Sequence, residues 1–188
     1  MRYVYHMVPK TMIGAKLIAL NQLKTNQEEL YNEYAKKYND HPDREKLLER
    51  RIPKLDCLWN DVIHFLPLHP FRVYSALRET GVHVKDDVKF YKVPISNLKH
   101  NKNAFYLYSK DLYNGPAAEM NREDIRLIDV EEYEELSSIP ADTVHYYKEE
   151  HSKGNRRFGM FPYIPHMLSL GEVDVSDAEI ICWSDEID

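Results

Sequence analysis

Glycine and cysteine are scarce in this 188-residue chain, and each scarcity closes off chemistry. Only 6 glycines occur, and neither GxxxxGK[ST] nor GxGxxG is present, which excludes a phosphate cradle built on a glycine-rich loop. HExxH is absent too, so the helical zinc-protease motif is set aside. Two cysteines, Cys57 and Cys182, are too few for a disulfide framework or a four-cysteine zinc site, and a reducing, cytoplasmic setting is the expectation that follows. No apolar run approaches the roughly 18 to 20 residues that span a bilayer, so no membrane partner is expected. The start, Met1-Arg2-Tyr3-Val4-Tyr5-His6, lacks a basic-then-apolar leader, and a secretory signal is not expected. With 25 Lys+Arg against 31 Asp+Glu the net charge is -6. That balance argues against electrostatic coating of nucleic acid, while leaving room for a local basic strip.

What is present is the balance of a globular protein, 43% hydrophobic and 30% charged, with 14 tyrosines offering apolar rings with polar tips. The length fits a single domain over residues 1–188. Arg2 to Val8 alternates and reads as a strand. Ala15 to Leu23 reads as a strand-like approach and a short turn. Asn26 to Tyr38 predicts a helix, with Glu28 and Glu29 in its first turn and Leu30, Tyr31, Tyr34 and Tyr38 on its apolar face. A second helix is expected from His41-Pro42-Asp43 to about Arg51, so that residues 26–52 form an inserted helical hairpin. Cys57 to Leu68 is the most unusual stretch, with Val62 to Leu66 a strand or buried turn. A helix is expected from Pro70 to the stop signal Gly81. Lys89 to Pro94 and Ala104 to Tyr108 read as paired strands joined through a 3₁₀ turn at Ser96 to Leu98. Glu119 to Glu135 reads as a solvated loop and helix start, Ala141 to His151 as a helix, and Phe158 to Tyr163 and Ala178 to Trp183 as late strands. The order implies an α+β fold with a small split antiparallel or mixed sheet core.

Several groups of residues suggest chemistry. Asp61, His64 and His69 supply a carboxylate and two imidazoles, the donor types of a zinc or iron site. A core role for His64 and a helix-capping role for His69 explain them without a metal. Cys57 beside Asp56 and Asp61 has the elements of a nucleophile, but its neighbours Leu58 and Trp59 suit a buried, inert thiol. Cys182 fits a core strand. Between Lys85 and Lys110, six lysines stand against Asp86 and Asp87, interleaved with Tyr91, Phe105, Tyr106 and Tyr108. That strip fits either phosphate and base contacts or two strands with lysines on a wet face.

Val4-Tyr5-His6 on a first strand, a segment ending at Gly14 and then Leu17 resembles the ADP-ribosyltransferase superfamily, in particular its DarT-like branch. The resemblance implies a split, two-sheet α+β fold with NAD as co-substrate and ADP-ribose passed to a protein or nucleic-acid acceptor. It implies His6 as a catalytic ribose contact with Tyr5 beside it, and Tyr106 or Tyr108 at the middle-strand position. His64 joins Tyr5, His6 and Tyr108 as an expected cofactor-binding residue. The late stretches Pro165-His166-Met167-Leu168, Gly171 to Val175 and Ala178 to Ile181 resemble the closing pattern. The family's glutamate falls there near Pro165 or His166, and Glu172 is the nearest carboxylate along the chain. An active transferase would therefore need His166 or Glu172 in its place, because the oxocarbenium charge calls for an electrostatic partner. Two other readings remain: a non-catalytic protein-binding module, marked by an exposed aromatic patch without a deep pocket, and a small metal-dependent hydrolase at Asp61, His64 and His69.

Overall fold

The computed structural model describes residues 1–12, 14–36, 46–116 and 118–187. The fold is α+β. β1 (Tyr3–Met7) is a five-residue alternating strand in which Val4 and Tyr5 are buried on opposite faces. It pairs antiparallel with β6 (Lys89–Pro94), and β6 pairs in turn with β11 (Glu179–Cys182). A second sheet has the order β5 (Ile63–Phe65), β9 (His166–Leu170), β7 (Lys102–Tyr106), β8 (Ile125–Leu127), again antiparallel. Tyr5 and Leu66 exchange backbone hydrogen bonds, so β1 meets the end of β5 and the two sheets join along a seam. Short pairs complete the set: β2 (Lys16–Leu17) with β10 (Val173–Asp174), and β3 (Arg51–Ile52) with β4 (Cys57–Leu58).

The strand at 89–94 forms as expected and the second forms at Lys102–Tyr106, two residues earlier than Ala104 to Tyr108, but they belong to different sheets and do not pair with each other. The 3₁₀ turn between them (Ile95–Leu98) buries Ile95 and Leu98, and that anchorage carries the chain from one sheet to the other. β7 then pairs with β9, which stood outside the expected strands. Phe158 to Tyr163 forms no strand. Tyr147 and Thr143 donate instead to its carbonyls, and Phe158, Met160 and Phe161 pack beneath the helices. The acidic segment 119–135 is not a solvated face either. It contains β8, it buries Ile125, Val130 and Tyr133, and its Asp124 accepts from Ser109.

The helical pair lies earlier than expected. α1 (Leu20–Asn26) and α2 (Glu28–Ala35) are joined at Gln27, while Lys46–Leu48 is a 3₁₀ turn and 51–52 a strand. Asn26 ends a helix instead of capping one. The remainder of the expected hairpin, 37–45, lies outside the described residues. α3 (Pro70–Glu79) follows the sequence closely. His69 accepts from Phe71 N–H at 3.3 Å, Pro70 occupies the first turn, and Val73, Ala76 and Leu77 are buried. It closes with Val82 N–H to Leu77 C=O and Gly81 N–H to Arg78 C=O, a Schellman pair that requires the positive φ of Gly81. α4 (Ala141–Ser152) packs beside it. Among the described residues no helix is long and apolar enough to cross a membrane.

Candidate functional site

A cavity of about 540 Å³ lies beside the seam, walled by the end of β1, the stretch from β2 through α2, the segment Trp59–His64 and the start of β9. The split sheets create it. β1 carries His6 to one wall, β5 carries His64 to the next, and β9 opens with His166. Three histidines far apart in sequence thus meet in one space. α2 buries none of its residues, yet Leu30 and Tyr34 face the cavity. Tyr34 is tied across it, donating to Thr11 C=O and accepting from Thr11 N–H.

Each imidazole is oriented by a main-chain carbonyl. His6 Nδ1 lies 2.7 Å from Met7 O, His64 Nε2 2.9 Å from Trp59 O, and His166 Nδ1 2.7 Å from Ile164 O. A carbonyl only accepts, so each of those nitrogens carries the proton, and in the neutral ring the opposite nitrogen is an acceptor. Burial holds His166 well below the ordinary histidine range, at about 4, against the weaker upward pull of the Ile164 carbonyl, so this ring is neutral at physiological pH. His64 and His166 have ring centroids 6.4 Å apart, and Trp59 lies 4.2 Å from His64. His6 meets Phe65 edge-on at 5.6 Å.

The other expected site residues are distributed around this centre. Tyr106 and Tyr108 stack on each other at 4.9 Å and stand 6.4 and 5.9 Å from the His166 ring, backing the cavity wall without lining it. Burial drives both phenols upward, Tyr106 to about 12 despite Arg50 nearby, so neither ionises to act as a base. Tyr108 holds a left-handed backbone, φ 54°. Tyr5 faces away, because strand alternation sends it opposite to His6. It packs edge-on against His69 at 5.2 Å and donates to Glu135 at 3.2 Å. Glu172 does not line the cavity; it stands at the rim, bound to Lys16 and Gln22.

Asp61, His64 and His69 do not converge. Asp61 accepts from Asn21 and from Leu58 N–H, His64 faces the cavity, and His69 caps α3. Among the described residues no three His, Cys, Asp or Glu side chains are placed to hold a metal ion. Burial, with Asp61 and Asp56 adding to it, raises the Cys57 thiol to about 11, so it is inert. Cys182 is a partly exposed strand residue whose thiol meets Asp86 O at 3.2 Å. The basic-aromatic strip is not one surface: Phe105 and Tyr106 are buried, Lys89 and Lys92 lie on one sheet and Lys102 on the other, and Lys85, Lys99 and Lys110 lie outside the strands. Among the described residues no aromatic side chain is among the large hydrophobics exposed on the surface.

Sequence reasoning missed Trp59, Asn60, Lys16 and Gln27 as cavity residues. Trp59 and Asn60 fall in the unusual stretch 57–68, which was the available signal. Lys16 and Gln27 carry none, because the place of Lys16 depends on the pairing of β2 with the distant β10 and that of Gln27 on how α1 and α2 are set over the cavity. No family model, curated protein or solved structure matches this chain.

Proposed function

We propose that the cavity binds an NAD-class dinucleotide, its nicotinamide-ribosyl half lying among His6, His64 and His166, in the manner of an ADP-ribosyltransferase-like protein. The observation that carries this reading is the convergence of those three imidazoles, each with its tautomer set by a backbone carbonyl. The acceptor nitrogen of His166 suits a donating hydroxyl of a ribose diol, and Trp59 offers an aromatic face for a planar ring. The volume lies within the roughly 300–1,000 Å³ usual for small-molecule sites. The seam between two sheets, with His6 beside it, supports the same reading.

Binding is the part that the residues carry directly. Transfer of ADP-ribose to a protein or nucleic-acid acceptor develops positive charge at the ribose, and a carboxylate is the usual stabiliser. Among the described residues no Asp or Glu lines the cavity, and His166, neutral, stands where that acid is expected. A lone pair on His166 orients a hydroxyl but neutralises no charge.

Titration with NAD and ADP-ribose, read by thermal unfolding, tests this. Ligand at about 100 times Kd adds about 2.7 kcal/mol and raises the melting temperature by several degrees. His6→Ala and His166→Ala should each abolish the shift while leaving the unliganded protein folded. No shift with either ligand at millimolar concentration sinks the reading. Nicotinamide release from NAD then separates a turning-over site from a purely binding one.

A further inference from the structure

The carboxylate of Glu172 is held as a bound anion would be held. One oxygen takes Lys16 Nζ at 3.0 Å and the other takes Gln22 Nε2 at 3.1 Å. The two donors come from different elements, Lys16 from β2 and Gln22 from α1, and the acceptor comes from the turn between β9 and β10. Lys16 also lines the cavity, as its one Lys or Arg among the described residues. It reaches solvent, with 56% of its side chain exposed, and so forms the charged rim of a space otherwise lined by apolar, imidazole and neutral polar side chains. The backbone of Glu172 is pinned separately, because Asn101 Nδ2 donates to its carbonyl at 3.1 Å. Its side chain is therefore able to swing away without moving the turn.

We infer that Lys16 and Gln22 are a binding pair for a phosphate or diphosphate group of the ligand that enters the cavity, and that Glu172 is a built-in competitor occupying the pair until that ligand arrives. The nucleotide reading supplies only the name of the ligand; the anion pair stands on the geometry of the three side chains. Lysine binds phosphate as a point charge, and Gln22 adds a neutral donor. An exposed ion pair such as Lys16–Glu172 is weak, so a diphosphate of higher charge displaces the carboxylate readily. The cavity would then select ligands that present an anionic group at the rim and a hydroxyl-bearing ring at the imidazoles.

Calorimetric titration of the wild type, Lys16→Met, Gln22→Leu and Glu172→Gln with ADP-ribose, inorganic diphosphate and nicotinamide riboside tests the pair. Lys16→Met should weaken ADP-ribose about tenfold, and Gln22→Leu about threefold. Glu172→Gln should tighten it about two- to fivefold, the scale of an exposed ion pair. Nicotinamide riboside, which lacks phosphate, should be unaffected by any of the three. Both Lys16 and Gln22 are exposed, so unchanged unfolding midpoints are the control. Equal ADP-ribose affinity in all four proteins overturns the inference and leaves the nucleotide reading standing. If wild type binds diphosphate with this variant pattern but neither NAD nor ADP-ribose, the pair stands and the nucleotide reading falls. If wild type binds none of them, both fall.

Discussion

Tyr5 and Leu66 exchange two backbone hydrogen bonds, 2.9 and 2.8 Å long, and this bridge joins the first strand to the second sheet. Its consequence is local. Alternation along β1 puts Tyr5 into the packing beneath α3 and α4 and turns its neighbour His6 toward Phe65 and the cavity. The seam thus decides which half of the Tyr-His pair faces the cavity.

Glu135 should behave as a clamp on that strand. Its carboxylate accepts Tyr3 N–H at 2.6 Å and Tyr5 O–H at 3.2 Å. Glu135→Gln is expected to cost about 1–2 kcal/mol in urea unfolding, the scale of hydrogen bonds to a charged group. Glu134→Gln, at a neighbouring exposed position, should stay within about 0.5 kcal/mol. Equal losses at both sites would refute the clamp.

His166 predicts a pH signature. Its pKa is lowered in the folded chain to about 4, against about 6.5 when unfolded, so the unfolded state binds the proton first. The stabilisation is complete above about pH 6.5 and is lost as pH falls toward 4, a change of roughly 1–3 kcal/mol. Burial lowers His69 in the same direction, so the comparison is with His166→Asn. The difference in unfolding free energy between the two proteins should narrow as pH drops from about 7 to about 4.5. A constant difference contradicts the assignment.

Cys57 should resist alkylation. Cys57, half-buried and raised to about 11, is almost wholly protonated at pH 8. In iodoacetamide labelling followed by mass spectrometry, Cys57 is expected to react at least about tenfold more slowly than a free model thiol of pKa about 8.5. Rapid labelling of Cys57 in the folded protein would reopen it as a nucleophile.

Gly171→Ala should destabilise by about 1–3 kcal/mol. The backbone there has φ +143°, and an added Cβ would fall 2.2 Å from Asn101 Oδ1. Asn101→Gly removes the clash but also the Asn101 bonds to Ser169 and Glu172, so Gly171→Ala should cost less in an Asn101→Gly background than in the wild type, the remainder being due to backbone conformation. The readout is the unfolding midpoint of the single and double variants. A Gly171→Ala protein as stable as wild type would place the turn between β9 and β10 differently.

Local signals were legible where one element contains its own instructions. The helix from Pro70 to Glu79 was readable because its cap, first-turn proline, apolar stripe and terminating glycine lie within about a dozen residues. Strand β1 was readable by alternation. The acidic segment 119–135 misled because its buried residues, Ile125, Val130 and Tyr133, are widely spaced among charges, and two of those charges, Asp124 and Glu135, are themselves turned inward to accept hydrogen bonds. The runs at 89–94 and 104–108 suggested paired strands by proximity, but which strands pair is settled by partners distant in sequence.

The site divides in the same way. Sequence by itself determined the α+β class, the candidate histidines and the capping role of His69, since residue type and near-neighbour pattern suffice for those. Only the tertiary structure decided that His6, His64 and His166 share one cavity, that Tyr5 is turned away from it, and that Glu172 is held at the rim by Lys16. Those outcomes depend on side chains from strands and helices up to 160 residues apart, 166 less 6, meeting across a seam between two sheets. Long-range pairing is fixed by burying one face of each element against another, and no window of neighbouring residues encodes which faces will meet.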